Sequence, residues 1–242
     1  MNRRIATQNV AVVAHRGASG EFPENTRSAF EEAIRLGVET IEIDVHLARD
    51  KSMVILHDYS VDRTSDGHGD VSDMTLAEIK EFDAGAWFNP RFAGERFLTL
   101  EETLDLMPPQ MRLNVHIKET ETDREILVPK VVDELVRRSL LGTAFLTGEE
   151  SVLRIARRML PEIEICCFLS VPECVALNCR ILQPGNGKVT SVMVAEAHRN
   201  GIEVNAFYAD DHAEMHRLID CGVDGILTNY PGRLQDLLGG AA

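Results

Sequence analysis

The chain has 242 residues, 44% of them apolar and 26% charged, the composition of an ordinary soluble globular protein long enough to bury a sizeable core. Set against 39 acidic side chains, 25 basic ones leave a formal charge of −14, which argues against a general nucleic-acid partner and against stable association with anionic membranes. No run of about 18 apolar residues is present to suggest a membrane span.

The first 17 residues carry arginines at positions 3, 4 and 16, but their apolar run is only about six residues long. That is too short for the hydrophobic region of a secretory leader, so a cytoplasmic protein is expected. Residues 10–15, VAVVAH, form the first strand-like run and end in His15-Arg16-Gly17. The segment NTRSAFEEAIRLG (25–37) follows, with Phe30, Ala33, Ile34 and Gly37 on one helical stripe. Further strand-like runs lie at 40–47, 53–57, 111–118, 144–147, 162–169, 180–183, 202–207 and 224–228, and helical patterns at 99–107, 123–139, 149–160, 189–200, 211–221 and 231–238. TLAEIK (75–80) and TLEETL (99–104) each carry the Thr-x-x-Glu capping box of a helix start.

Strand and helix alternate seven or eight times, which means parallel βαβ units. Eight units in about 250 residues suit a (β/α)8 barrel. A doubly wound open sheet is the runner-up, disfavoured because no Gly-rich phosphate loop follows the first strand. The rhythm breaks at 58–98, a stretch rich in Gly, Asp and aromatic residues that includes Trp87. It reads as a small insertion over the C-terminal mouth of a single barrel spanning residues 1–242. Its aromatics Phe82, Trp87, Phe88, Phe92 and Phe97 read as a local core, or else as an apolar widening of that mouth.

Cys166, Cys167, Cys174 and Cys179 lie close in sequence, and Cys221 stands apart. The spacing lacks C-x-x-C, and IEICCFL reads as a buried strand, so reduced core thiols are expected rather than a zinc knuckle.

Active sites of such barrels gather at the C-terminal ends of the strands. There the sequence places His15 and Arg16, then Glu42 and Asp44 two residues apart on one strand face, then His57-Asp58, then Asn114, His116 and Lys118. Glu119, next to Lys118, faces the other way on a regular strand. Carboxylates inside a barrel must be ion-paired or bound to a hard divalent cation such as Mg²⁺ or Ca²⁺. Two histidines suit the taking and giving of one proton each near neutral pH, and Arg16 suits an anionic oxygen. Lys118 serves either as a second anion contact or as a counter-ion to Glu42 and Asp44. The set points to metal-assisted displacement at phosphorus. Gly17 permits a tight backbone turn beside it.

AHRGASGEFPENT, ETIEIDVHLARD, ILHDYSVDRTSDGHGDV, FLTLEETLDL, LNVHIK and GVDGILTNYP together resemble the glycerophosphodiester phosphodiesterase family, nearly end to end. The resemblance implies a barrel with an insertion after the second barrel strand. It also implies metal-dependent hydrolysis of a small-molecule glycerophosphodiester to sn-glycerol 3-phosphate and an alcohol. It assigns His15 and His57 as the acid–base pair, Arg16 as a phosphate contact, Glu42 and Asp44 as metal ligands, and Asp58 as the orienting neighbour of His57. Two departures stand out. His116 occupies the place of a family glutamate ligand; Mg²⁺ or Ca²⁺ stays the expected metal, and the imidazole adds Mn²⁺ or Zn²⁺ as alternatives. Phe207 stands where the family often has tryptophan at the pocket wall; core packing is its other reading. Two alternative functions remain: an inactive relic that binds a phosphodiester, and a phosphodiesterase for lysophospholipid or sugar phosphodiesters.

Overall fold

The computed structural model describes residues 10–239. Residues 1–9, on which part of the leader reading rests, lie outside the described residues. The strands are β1 (Ala11–His15), β2 (Thr40–Leu47), β3 (Met53–Ile55), β4 (Leu98–Thr99), β5 (Arg112–Ile117), β6 (Ala144–Thr147), β7 (Ile165–Cys167), β8 (Ile181–Leu182), β9 (Glu203–Ala206) and β10 (Gly225–Thr228). The helices are α1 (Arg27–Leu36), α2 (Leu76–Ile79), α3 (Leu100–Leu106), α4 (Arg124–Arg137), α5 (Glu150–Met159), α6 (Val171–Ala176), α7 (Ser191–Arg199), α8 (His212–Cys221) and α9 (Pro231–Gly239).

Eight strands pair in parallel in the order β1-β2-β5-β6-β7-β8-β9-β10, and β10 returns to β1, which closes the barrel. The open-sheet alternative is thereby excluded, because closure leaves no parallel edge. Nine strand-like runs were legible, one more than the barrel needs. The extra one, 53–57, is β3, which turns back antiparallel on β2 and hands on to β4, also antiparallel. The excursion between β2 and β5 therefore starts with a hairpin ahead of residue 58.

Local sequence explains the elements. Thr26 caps α1 by accepting from the Ala29 amide, and Gly37 ends it in the left-handed region at φ 72°. Ala29, Phe30 and Ala33 are buried beneath it. The boxes at Thr75 and Thr99 start α2 and α3, each with both reciprocal bonds. Helix α6 was not anticipated. A Ser170–Glu173 capping box and a proline in its first turn mark it, but its six residues show too little periodicity.

The core lies mainly between the strands and the surrounding helices. Ile41, Ile43 and Val45 of β2 join it with Leu113, Val115 and Ile117 of β5. Glu42 and Asp44 alternate with those residues and so face the barrel interior. A smaller core under the excursion gathers Val54, Leu56, Val61, Val71, Ile79 and Phe97, with Phe82 against it. Phe82 and Phe97 thus follow the local-core reading. Phe88 instead packs edge-on against Trp87 and Phe92, and the Phe92 ring meets Phe22 outside that core. Cys166, Cys167, Cys174 and Cys179 are free and buried, and Cys221 is half-buried. Three of them, Cys167, Cys174 and Cys179, bring their sulfurs within 4.8 Å of one another. Among the described residues no helix is long and apolar enough to cross a membrane.

Candidate active site

Register places the site residues. Across β1, β2 and β5, His15 lies beside Glu42, and Asp44 beside His116. Strand β1 ends in a sharp turn: Arg16 and Gly17 both occupy the left-handed region, at φ 58° and 82°. A side chain on Gly17 would put its Cβ 2.6 Å from the backbone carbonyl carbon of Ala29, so only glycine fits between this turn and α1. The turn aims the Arg16 amide at Glu42, where it donates to both the backbone oxygen and Oε2 at 3.1 Å. The Arg16 guanidinium donates to Glu24 Oε1 at 2.8 Å, and its Nε lies 3.3 Å from Asp44 Oδ2.

Glu42, Asp44 and His116 bring their donor atoms within 4.8 Å of one another. His116 Nδ1 is 3.1 Å from Asp44 Oδ1 and 3.6 Å from Glu42 Oε1. Asn25 donates to Asp44 Oδ2 at 3.0 Å, but Asp44 Oδ1 is buried with no hydrogen-bond partner. An orphaned carboxylate oxygen facing a second carboxylate and an imidazole is a donor set that fits a divalent cation. Burial works to raise the Asp44 pKa, but His116, Arg16 and His57 outweigh it and hold the carboxylate ionised. For His116 burial pulls downward, and the carboxylates of Asp44 and Glu42 reverse it and raise the pKa.

His57 stands two residues beyond the end of β3. Its Nδ1 meets Asp58 Oδ1 at 2.6 Å, and Lys118 Nζ approaches its Nε2 at 3.2 Å. Burial is the main cause of a lowered His57 pKa, with Arg16 and Lys118 adding to it against Asp44 and Asp58. Asp58 in turn is gripped by Arg63, which donates to both its oxygens at 2.6 and 3.1 Å and to both oxygens of Glu24 at 2.8 Å. That grip is the chief reason the Asp58 pKa lies well below its usual value.

His15 is 6% exposed, and its Nδ1 meets Asn229 Oδ1 at 2.8 Å. Phe207 packs edge-on against its ring, and Tyr208 stacks on it. His15, Arg16, Glu42, His57 and His116 all line one cavity of about 360 Å³, together with Phe168, Lys188 and Phe207. A second cavity of about 330 Å³ shares His15, Arg16 and Phe207 and reaches Phe88 of the excursion and Asp210. A larger groove, about 620 Å³ between the excursion and α1, has no titrating pair of this kind, so chemistry rather than volume selects the site.

Most of the residues singled out from sequence meet here. Lys118 forms no ion pair with Glu42 or Asp44; its ammonium instead approaches His57 Nε2. Asn114 lies below the site, donating to Gln183 at 2.9 Å and accepting from Thr147. Glu119 faces away and binds Arg124 and Ser151. Glu24, Asn25, Arg63, Asp210 and Asn229 were missed as individual residues. Asn25 sits in the quoted PENT and Asn229 in the quoted TNYP, so their motifs were visible before their contacts were.

A closed parallel barrel with two histidines, an arginine and a carboxylate–imidazole cluster at its C-terminal mouth defines a class of barrel enzymes that act on phosphate esters. Residues 15–233 match the model of the glycerophosphoryl diester phosphodiesterase family, and the chain belongs to that family. It is 36% identical over 243 residues to a glycerophosphodiester phosphodiesterase of Caldanaerobacter subterraneus subsp. tengcongensis, covering 94% of this chain and 97% of that one. It is also 51% identical over 248 residues to a Mycobacterium tuberculosis protein named "Probable glycerophosphodiester phosphodiesterase 1", covering 93% and 90%. Among solved structures it resembles an Oleispira antarctica phosphodiesterase in complex with the product sn-glycerol-3-phosphate, with a TM-score of 0.88, 28% identity and coverage of 95% and 96%.

Proposed function

We propose that the protein hydrolyses glycerophosphodiesters to sn-glycerol 3-phosphate and an alcohol. The observation that carries this reading is the meeting of His15, Arg16, Glu42, His57 and His116 on one cavity, with the buried Asp44 carboxylate clustered with Glu42 and His116. Family membership and the product named for the Oleispira structure agree with it.

Glu42, Asp44 and His116 would hold a divalent ion. When bound, it supplies positive charge beside the substrate's oxygens and phosphate. The carboxylates suit Mg²⁺ or Ca²⁺, and the imidazole of His116 adds Mn²⁺ and Zn²⁺ to the candidates. Arg16 holds a phosphate oxygen, its guanidinium kept in place by Glu24 and Asp44. One histidine removes the proton from the attacking oxygen, either water directly or the glycerol 2-hydroxyl, whose attack gives a cyclic phosphate that water then opens to sn-glycerol 3-phosphate with the two histidines exchanging roles. The electron pair of that oxygen forms the new P–O bond, and the P–O bond to the alcohol breaks. The other histidine gives its proton to the departing oxygen. Lys118 is free to turn from His57 to a phosphate oxygen once substrate is present. Phe168 and Phe207 wall the cavity against water.

The test is release of sn-glycerol 3-phosphate from glycerophosphocholine and glycerophosphoethanolamine by metal-stripped protein, with Mg²⁺, Ca²⁺, Mn²⁺ and Zn²⁺ restored one at a time. Turnover with at least one metal is expected. Absence of product with every metal, from protein shown to be folded, overturns the reading.

A further inference from the structure

The two histidines are oriented by different partners. Behind His57 Nδ1 stands a carboxylate, Asp58. Behind His15 Nδ1 stands an amide, Asn229, and behind that amide stands Asp210. The Asp210 side chain, from the loop after β9, takes three bonds from the end of β10 and the loop that follows it. Its Oδ1 accepts from the Asn229 amide at 2.8 Å and from Thr228 Oγ1 at 3.1 Å. Its Oδ2 accepts from Asn229 Nδ2 at 2.7 Å.

An ionised carboxylate only accepts hydrogen bonds. Asp210 therefore fixes which end of the Asn229 amide faces it: the NH₂ group points to Asp210, and Oδ1 points to His15. That oxygen only accepts, so the hydrogen between the two side chains belongs to His15 Nδ1. A neutral imidazole carries one ring hydrogen, and Nε2 is then left as a bare lone pair. Ser19 completes the clamp, its Oγ lying 2.7 Å from the His15 backbone oxygen and 2.8 Å from Asn229 Oδ1. Phe207 and Tyr208 close on the ring from two sides.

We propose that Asp210, acting through Asn229, is a positioning residue that holds His15 in its Nδ1–H form and so makes His15 Nε2 the acceptor of the attacking oxygen's proton. The catalytic half of this statement rests on the hydrolysis reading above; the tautomer half does not. In the reaction the proton of the attacking hydroxyl passes to His15 Nε2, and the freed electron pair forms the bond to phosphorus. The departing alkoxide takes its proton from His57, whose Nδ1 is held by Asp58.

Asp210→Asn is the sharp variant, because it keeps shape and reverses one donor. The oxygen of the new amide stays with the Asn229 amide and Thr228, and its NH₂ takes the place of Oδ2. Two NH₂ groups then face each other. The Asn229 amide flips to escape, offers NH₂ to His15 Nδ1, and selects the Nε2–H form. Long-range ¹H–¹⁵N correlation spectra of ¹⁵N-histidine-labelled protein at pH 8.5 read the tautomer directly, with His15→Gln to assign the signal. The expected result is an Nδ1–H His15 in the native protein and an Nε2–H His15 in Asp210→Asn. With it, kcat falls about 10–100-fold and KM changes less than about twofold. A native His15 in the Nε2–H form overturns the proposal, and so does a tautomer that Asp210→Asn leaves unmoved. The native measurement does not depend on Asp210→Asn folding. The expected tautomers in a protein that turns over no diester would sustain the positioning role and overturn the hydrolysis reading instead.

Discussion

Asp44 Oδ1 and His116 Nδ1 face each other at 3.1 Å, and the carboxylate oxygen has no hydrogen-bond partner. The Asp44–His116 pair stands on neighbouring strands in register, so its separation is set by the barrel rather than by flexible loops. Replacing His116 by Glu puts a third carboxylate at the same strand position. We expect His116→Glu to bind Mg²⁺ or Ca²⁺ about tenfold more tightly and to lose preference for Zn²⁺. The metal-free variant is expected to be less stable by about 1–3 kcal/mol, because three neighbouring carboxylates then share Arg16 as their nearby cation and lose the His116 imidazole. Calorimetric metal titration and melting of the stripped protein check both; unchanged Mg²⁺ and Ca²⁺ affinity would show that position 116 is not a ligand.

His15→Ala and His57→Ala each remove one proposed proton carrier and leave Glu42, Asp44 and His116 in place. Each is expected to lower kcat by about 10²–10⁴-fold. Arg63→Met acts one step further out, by releasing Asp58 from its two bonds. A loss of about 10-fold in kcat is expected for it. Steady-state kinetics on glycerophosphocholine with the best metal separate the cases. Full activity in either histidine variant would remove that residue from the chemistry.

Much of the candidate site was legible in the chain because its residues sit at or near strand ends. The alternation of Glu42 and Asp44 with Ile41, Ile43 and Val45 announces an inward polar face on a buried strand. The run 53–57 has the same apolar signature as a barrel strand, and periodicity carries no information on direction; only pairing shows that β3 runs antiparallel. Supporting contacts were hidden for a different reason. Asn229 and His15 are 214 residues apart, and Arg63 reaches Glu24 across 39, so no local pattern encodes either bond. The uses of Lys118 were likewise undecided between anion contact and counter-ion until the fold placed it against His57.

Gly17→Ala tests the turn that presents Arg16. The position needs φ 82°, and the new methyl would press on the Ala29 backbone at 2.6 Å. Backbone strain alone costs about 1–3 kcal/mol, and the clash with α1 adds to it. A drop in Tm of about 5 °C or more is expected, together with a raised KM as Arg16 shifts. An unchanged Tm by differential scanning calorimetry would contradict the tight-turn account.

Glu24 gives the stability a pH signature. Burial acts to raise its pKa, but Arg63 and Arg16 outweigh burial and lower it below 4.5. A carboxylate whose folded pKa is depressed binds its proton later in the folded state than in the unfolded one. Its contribution is therefore complete at pH above about 4.5 and is lost as pH falls through the folded value. Glu24→Gln cannot titrate. At pH 7 we expect it to melt about 3–8 °C below the native protein, the equivalent of about 1–3 kcal/mol for charged hydrogen bonds lost to Arg16 and Arg63. The gap stays constant down to about pH 5 and then narrows steadily toward pH 3, because the native protein weakens there and the variant has nothing at this position left to lose. Paired melts across that range decide the matter, since a gap that is flat or widens with acid would mean that Glu24 does not carry its charge into the Arg16–Arg63 bridge.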